Sequence, residues 1–189
     1  MQGSLLNQRV RLERVLREGR QGTSFLATDE VTGELLAVKL FARDQQPQSA
    51  RFAFRAQLRR ISDLRHPHLV LPSALGKSQG HWFLAAPYFP AAPLDAELSN
   101  AQLTADEVFV LLGQLAGGVS ALHERGMVHG GIVPRRVLIT RIDALHGALI
   151  QPLRHLLHGT EGIRGQDVWF AAPEQDPRLA LPLDGRADL

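Results

Sequence analysis

The chain has 189 residues, 44% of them apolar and 21% charged, which is enough for one full domain or a small two-lobed one with a sizeable core. Its formal charge is +2, and its pI near 9.6 reflects arginine, which never titrates; the basic residues are spread along the chain and aromatics are scarce, so nucleic acid is not an expected partner. The absence of cysteine excludes disulfides and thiolate metal sites and suits a reducing compartment, so a cytoplasmic location is expected.

The first stretch, "MQGSLLNQRVRLERVLREGR", interleaves charge with apolar residues and lacks the apolar core of a signal peptide. No apolar run approaches roughly 18 residues, so no membrane span is expected. From residue 8 to about 41 the segments "RVRLERVL", "TSFLAT" and "ELLAVKLFA", with a turn at "DEVTG", predict three antiparallel strands. In the last of them Leu36, Val38 and Leu40 alternate with Ala37, Lys39 and Phe41. "QSARFAFRAQLRRISDLRHP" spaces Phe54, Leu58, Ile61 and Leu64 as one helix, stopped by Pro67. "LVLPSALGKSQGHWFLAA" predicts a hairpin about "KSQG", and the proline-rich "PYFPAAP" marks a linker. Thr104 and Glu107 form a capping box that opens a long helix, with Val108, Leu111, Leu115, Val119 and Leu122 on one stripe and Gly126 at its end. "RRVLITRIDALHGALIQP" predicts two short strands about a turn, and the remainder reads as loop.

This order, with "LLAVKL", "LRHPHLV", "GMVHGGIVPRRVLI" and "FAAPEQ" in it, resembles the eukaryotic-type protein kinase fold from about residue 8 to the end, and more closely its bacterial Ser/Thr branch. The resemblance implies an α+β, protein kinase-like two-lobed fold. Residues 8–88 would form a β-rich N-lobe with a five-stranded sheet and one helix. Residues 89–189 would form part of a mainly helical C-lobe, truncated before its central helix. The chain stops at "DGRADL", where Asp188 resembles the acid that opens that helix. The polypeptide is then either cut from a longer protein or naturally short.

Carried over residue by residue, the resemblance leaves a degraded site. Gly19 and Gly22 match two glycines of the phosphate-covering loop, but Arg17 stands at the first glycine and Ser24 at the residue that covers the base; an ordinary hairpin turn accounts for the two glycines equally well. Lys39 matches the lysine that contacts the α- and β-phosphates and Ala37 the residue over the adenine, and strand alternation puts both on one face. Lys39 and Lys77 are the only lysines, which hints at a need for a compact ammonium at position 39, against the alternative of a solvent-facing strand lysine. The lysine's usual glutamate partner falls on Gln57, which keeps a hydrogen-bond acceptor and loses the ion pair, unless it is a solvated helix residue. The Pro87 carbonyl and Phe89 N–H match the adenine-binding backbone, with Ala86 at the gatekeeper position.

In the loop "HGGIVPRR", His129 and Pro134 match the family, and His129 reads as a packing residue. Gly130 replaces an arginine, Gly131 the catalytic aspartate, Val133 the γ-phosphate lysine and Arg136 the metal-binding asparagine. The second metal-binding acid falls at Gln151, Pro152 or Leu153, and the nearby Asp143 reads as a turn former. Ala172, Pro173 and Glu174 match the end of the activation segment, with the usual arginine partner of Glu174 beyond this chain. No metal site is expected. ATP or ADP would bind weakly and without Mg²⁺ through Lys39, Arg136 and the hinge backbone, or the pocket is empty with Arg136 in solvent.

The resulting expectation is a pseudokinase, a regulatory or binding module that engages a protein partner, another domain of a longer chain or a second copy of itself. The alternative is an atypical ATP-dependent transferase, which needs a carboxylate near the phosphates; Glu18 is the nearest in sequence and otherwise reads as a solvated loop charge. A third reading is a structural scaffold without a ligand.

Overall fold

The computed structural model describes residues 3–19, 22–42, 56, 58–99, 102–141, 144–150, 169–176 and 184–189. These fall into two compact units. The first holds the chain up to Ser62 together with Leu71–Phe89, and the second holds Asp63–Val70 and the described residues from Pro90 onward.

The first unit is built on the strands β1 Leu5–Leu6, β2 Val10–Gly19, β3 Gly22–Asp29, β4 Leu35–Phe41, β6 Ala74–Ser78 and β7 His81–Pro87, while β5, Leu69–Val70, lies in the second unit. They form one antiparallel sheet in the order β1-β2-β3-β4-β7-β6. It has six strands rather than the expected five. Asn7 and Gln8 take positive φ angles of 48° and 56° and turn Leu5–Leu6 back onto β2, and a two-residue strand is too short to register as an alternating pattern.

Alternation decides which face is buried. Leu12, Phe25, Ala27, Leu36, Val38, Leu40, Phe83 and Ala85 pack with Leu6 and Val10 in one cluster. Leu12 and Val38 are 0% exposed, and each such side chain contributes about 1.5–3 kcal/mol by leaving water. Between β3 and β4, Asp29 is the single polar residue buried in its strand. The Arg9 guanidinium grips it, with Nε 2.9 Å from both carboxylate oxygens and Nη2 2.7 Å from Oδ2, while the Val31 N–H donates to Oδ1 at 3.0 Å. The "KSQG" hairpin turns on Gln79 and Gly80, both at positive φ, 49° and 82°, the backbone that a two-residue loop between right-twisted strands requires.

Residues 56 and 58–61 are helical, and the helix stops at Ile61. Ser62 Oγ donates to the Arg59 carbonyl at 3.0 Å, which satisfies an acceptor that the ending helix leaves open. Leu64, expected on that helical stripe, therefore falls beyond the helix and belongs to the second unit; Phe54 lies outside the described residues.

The second unit carries the strands β8 Ala92–Pro93, β9 Val137–Thr140 and β10 His146–Ile150 and the helices α1 Leu94–Leu98 and α2 Ala105–His123. Its sheet runs β5-β10-β9-β8, with β5 parallel to β10. Part of the expected linker is thus strand, and Pro93 is tolerated there because β8 is an edge. The capping box of α2 is formed on both sides: the Glu107 N–H donates to Thr104 Oγ1 at 3.2 Å and the Thr104 N–H to Glu107 Oε2 at 2.9 Å. A side chain at Gly147 would lie 2.2 Å from Leu111 Cδ1, so α2 rests directly on β10. Gln114 closes that contact, donating to the Leu145 carbonyl at 2.9 Å and accepting from the Gly147 N–H at 2.7 Å.

This packing selects the buried face of α2. Leu111, Val119 and Leu122 are buried as expected, whereas Val108 is 38% exposed, and Phe109 and Leu112 are exposed to 72% and 57%. Among the described residues α2 is the one helix long and apolar enough to cross a membrane by length and composition, at a mean hydropathy of 1.3. The expectation of no span counted only uninterrupted apolar runs, which the glycines and polar residues of α2 break up.

Candidate functional site

Strand β4 sends Leu36, Val38 and Leu40 into the core and so turns Ala37 and Lys39 to the other face of the sheet, where both are half-buried. Across the sheet Lys39 lies between Ser24 of β3 and Leu84 of β7, and Ala37 between Leu26 and Ala86. The result is a small apolar floor of Leu26, Ala37 and Ala86 with an ammonium at one end. Lys39 Nζ stands 5.3 Å from the centre of the Phe41 ring, which lies two residues along the same strand and holds the cation by its π face. Pro87 ends β7 exposed, the Tyr88 N–H donates to the Leu35 carbonyl at 2.9 Å, and Phe89 follows half-buried. The hinge backbone thus continues directly from the strand that faces Lys39.

The two glycines part company. Gly22 sits at φ 132°, and a side chain there would lie 2.0 Å from the Leu40 carbonyl oxygen, so β4 itself demands glycine whether or not a phosphate ever comes near. Gly19, opposite it in the hairpin, meets among the described residues only the Gly22 carbonyl, 3.9 Å from where its side chain would begin. Of the pair, Gly19 is the one whose identity the sheet does not explain.

In the second unit, Gly126 at φ 63° leads the chain out of α2 into the loop. Met127, His129, Gly130, Gly131 and Val133 are all buried, and the loop is tied from both sides by side chains. The Asp188 carboxylate, 0% exposed, accepts from the His129 N–H at 2.7 Å through Oδ2 and from the Gly130 N–H at 2.6 Å through Oδ1, and His123 Nε2 lies 2.9 Å from Oδ2. Gly130 turns at φ 63°, and its carbonyl accepts from Gln175 Nε2 at 2.9 Å. Arg136, in the short 3-10 turn Pro134–Arg136, donates through Nη1 to the Gly131 carbonyl at 2.9 Å.

Chemically the loop offers no base. Position 131 is a buried glycine, and among the described residues the carboxylate bonded to the loop, Asp188, has its side chain sealed from solvent and occupied by three donors. A general base must reach a substrate proton within about 2.6–3.2 Å or through one water, which Asp188 cannot do from there. Arg136, at the position where the resemblance would put a metal ligand, carries a cation and is tied to the loop backbone. Among the described residues no cluster of His, Asp or Glu is placed to hold a metal. His129 is fully buried with its backbone held by Asp188, a packing role. Glu174, expected to look beyond the chain for a cation, acts on Arg186, whose pKa is raised first by its hydrogen bond to Asp184 and less by the charge of Glu174.

Sequence reading did not anticipate Gln175 or His123. Gln175 directly follows the Ala-Pro-Glu motif, and that adjacency is the one signal available for it. Gln57, Asp143, Gln151, Pro152 and Leu153 lie outside the described residues. Lys39 belongs to one unit and Arg136 to the other.

A family model described as protein tyrosine and serine/threonine kinase matches residues 10–148. Among curated proteins the chain is 28% identical over 195 residues to the serine/threonine-protein kinase pkn2 of Myxococcus xanthus, which covers 98% of this chain and 23% of pkn2. It is 27% identical over 135 residues to the serine/threonine-protein kinase PknJ of Mycobacterium tuberculosis, covering 69% of this chain and 22% of PknJ. The chain therefore spans less than a quarter of the length of these relatives. Among solved structures the PknI kinase domain of Mycobacterium tuberculosis superposes with a TM-score of 0.78 at 20% identity, covering 100% of this chain and 70% of that one, which shows the fold.

Proposed function

The chain belongs to the protein tyrosine and serine/threonine kinase family, and from that premise we propose that it is a pseudokinase: a regulatory or binding module that keeps the family's nucleotide-facing strand without the means to transfer phosphate. The observation that carries this reading is the sealed loop, in which Gly131 supplies no acid and, among the described residues, the carboxylate bonded to the loop, Asp188, is spent on His123, His129 and Gly130. Loss of a general base removes roughly 10²- to 10⁴-fold in rate. Replacing the metal-binding asparagine by Arg136 removes, in addition, a holder of the charge on which phosphoryl transfer depends.

Lys39, Ala37 and the backbone at Pro87 and Phe89, all in the first unit, support weak, metal-independent binding of ATP or ADP as part of this reading. In this reading the bound nucleotide stabilises a surface that a protein partner, a further domain or a second copy recognises, in the cytoplasm. A thermal-shift titration of the full chain with ATP, with and without Mg²⁺, tests it. The same upward shift is expected in both conditions, and none in Lys39→Ala, because a ligand that binds only the folded state stabilises it by mass action. A shift that appears only with Mg²⁺ would favour the atypical transferase instead.

A further inference from the structure

Three histidines meet on the second unit, outside the loop described above. His66 and His68 flank Pro67 in the segment that leads into β5, and His146 opens β10. The rings of His66 and His68 stand edge to face with centres 5.5 Å apart, and those of His68 and His146 are 4.7 Å apart. Each ring also makes a backbone bond. His68 Nδ1 lies 2.8 Å from the Gly147 carbonyl, and His146 Nε2 lies 3.1 Å from the Pro67 carbonyl. A carbonyl accepts only, so both of those nitrogens carry hydrogen. His66 works in the opposite sense: its Nδ1 accepts from the His68 N–H at 3.2 Å, so that nitrogen must bear its lone pair. The pattern is satisfied when His66 is neutral with its proton on Nε2.

The consequence is specific to one atom. The next proton that His66 takes must go to Nδ1, the nitrogen that accepts the His68 N–H. Protonation therefore breaks that bond, sets two donors against each other and places a positive charge beside the His68 ring. We propose that the His66, His68 and His146 cluster is an acid-sensitive clasp, which holds the 64–68 segment on β10 while His66 is neutral and releases it when His66 Nδ1 is protonated. The backbone bond that it protects is the Leu149 N–H to the His68 carbonyl, 2.9 Å, alongside the parallel pairing of Leu69 and Val70 with Leu149 and Ile150.

The surroundings favour the neutral form. The His66 ring packs on α2, with its edge 3.7 Å from where a side chain at Gly117 would begin. Burial there holds its pKa below the ordinary histidine value, and the neighbouring His68 lowers it further. The other charges on the segment are Asp63, paired at 2.7 Å with Arg125, and Arg65, which donates to the Leu64 carbonyl at 2.9 Å. On α2 the ionisable residues are Asp106 and Glu107 in the first turn and His123 in the last, away from Gly117; β5 and β9 contribute none, and β10 contributes His146 itself. A folded-state pKa below the unfolded value means that stability is complete above the unfolded value, near 6.5, and falls as pH drops below it.

Urea unfolding of the full chain at pH 7.5 and 5.5, for wild type and His66→Asn, tests the clasp. Asparagine offers the same acceptor to the N–H two residues on and does not titrate. Wild type is expected to lose midpoint on acidification, and His66→Asn to lose measurably less, whatever its stability at pH 7.5. Imidazole nitrogen shifts of the wild-type chain at pH 7.5 provide a check that needs no variant. They should report His66 protonated on Nε2 with Nδ1 bare. An equal acid loss in both proteins, or a proton on His66 Nδ1 at pH 7.5, would overturn the proposal.

Discussion

Gly22 and Asp188 show two ways in which a single residue can be fixed by geometry. At Gly22 the sheet leaves no room, since a side chain would begin 2.0 Å from the Leu40 carbonyl oxygen. Gly22→Ala must displace β4 or break the hairpin, and a loss of about 1–3 kcal/mol is expected by denaturant unfolding, while Gly19→Ala, which among the described residues meets the Gly22 carbonyl at an ordinary 3.9 Å, should cost less. Asp188 is the reverse case, a polar group inside that every neighbour needs. Asp188→Ala leaves the His129 and Gly130 N–H groups buried without their acceptor, which costs about 1–3 kcal/mol for each such donor; the check is unfolding together with proteolysis of the loop. Asp29 supplies the pH dependence of the first unit. The hydrogen bond from Arg9, opposed by burial and helped by the Val31 N–H, holds its carboxyl at about 2, against 3.8 for an unperturbed aspartate. A depressed folded-state value means stability that is complete above pH 3.8 and lost as pH falls toward 2. Unfolding midpoints between pH 5 and 2.5 should fall in wild type and flatten in Asp29→Asn.

Among the elements, α2 and β4 were legible from sequence for different reasons. Thr104 and Glu107 three residues apart announce a helix start through a local bond, and both halves of that bond are present. Thr104→Ala is expected to cost about 1 kcal/mol by thermal or urea unfolding. The alternation of Leu36, Val38 and Leu40 with Ala37 and Lys39 likewise settles which side of β4 faces the core. The buried face of α2 was less legible, because "VFVLL" is apolar at five successive positions and a 3.6-residue period cannot choose among them. What chooses is Gly147, 36 residues after Leu111 on another element, which lets Leu111 rather than Phe109 descend onto β10. The same limit applies in the loop. The departures at Gly131 and Arg136 come from laying the family motif on the sequence, but Gln175 on the Gly130 carbonyl and Asp188 on two N–H groups are side-chain bonds to distant backbone, and no periodicity records them.

For the molecule as a whole, the first unit has a strand that turns a lysine and an alanine to one side, and the second has a buried loop held by Asp188, Gln175 and Arg136. The Asp188 carboxylate holds the backbone of His129 and Gly130 in place, so that arrangement contributes to stability in its own right. The account stands or falls on transfer itself. The direct test is to incubate the full chain with ATP labelled at the γ-phosphate, in Mg²⁺ and in Mn²⁺, with a generic protein acceptor, and to read label on the acceptor and on the chain beside Lys39→Ala. The account predicts no incorporation above the Lys39→Ala background with either metal. Metal-dependent labelling that disappears in Lys39→Ala would contradict it and require a working acid outside this loop.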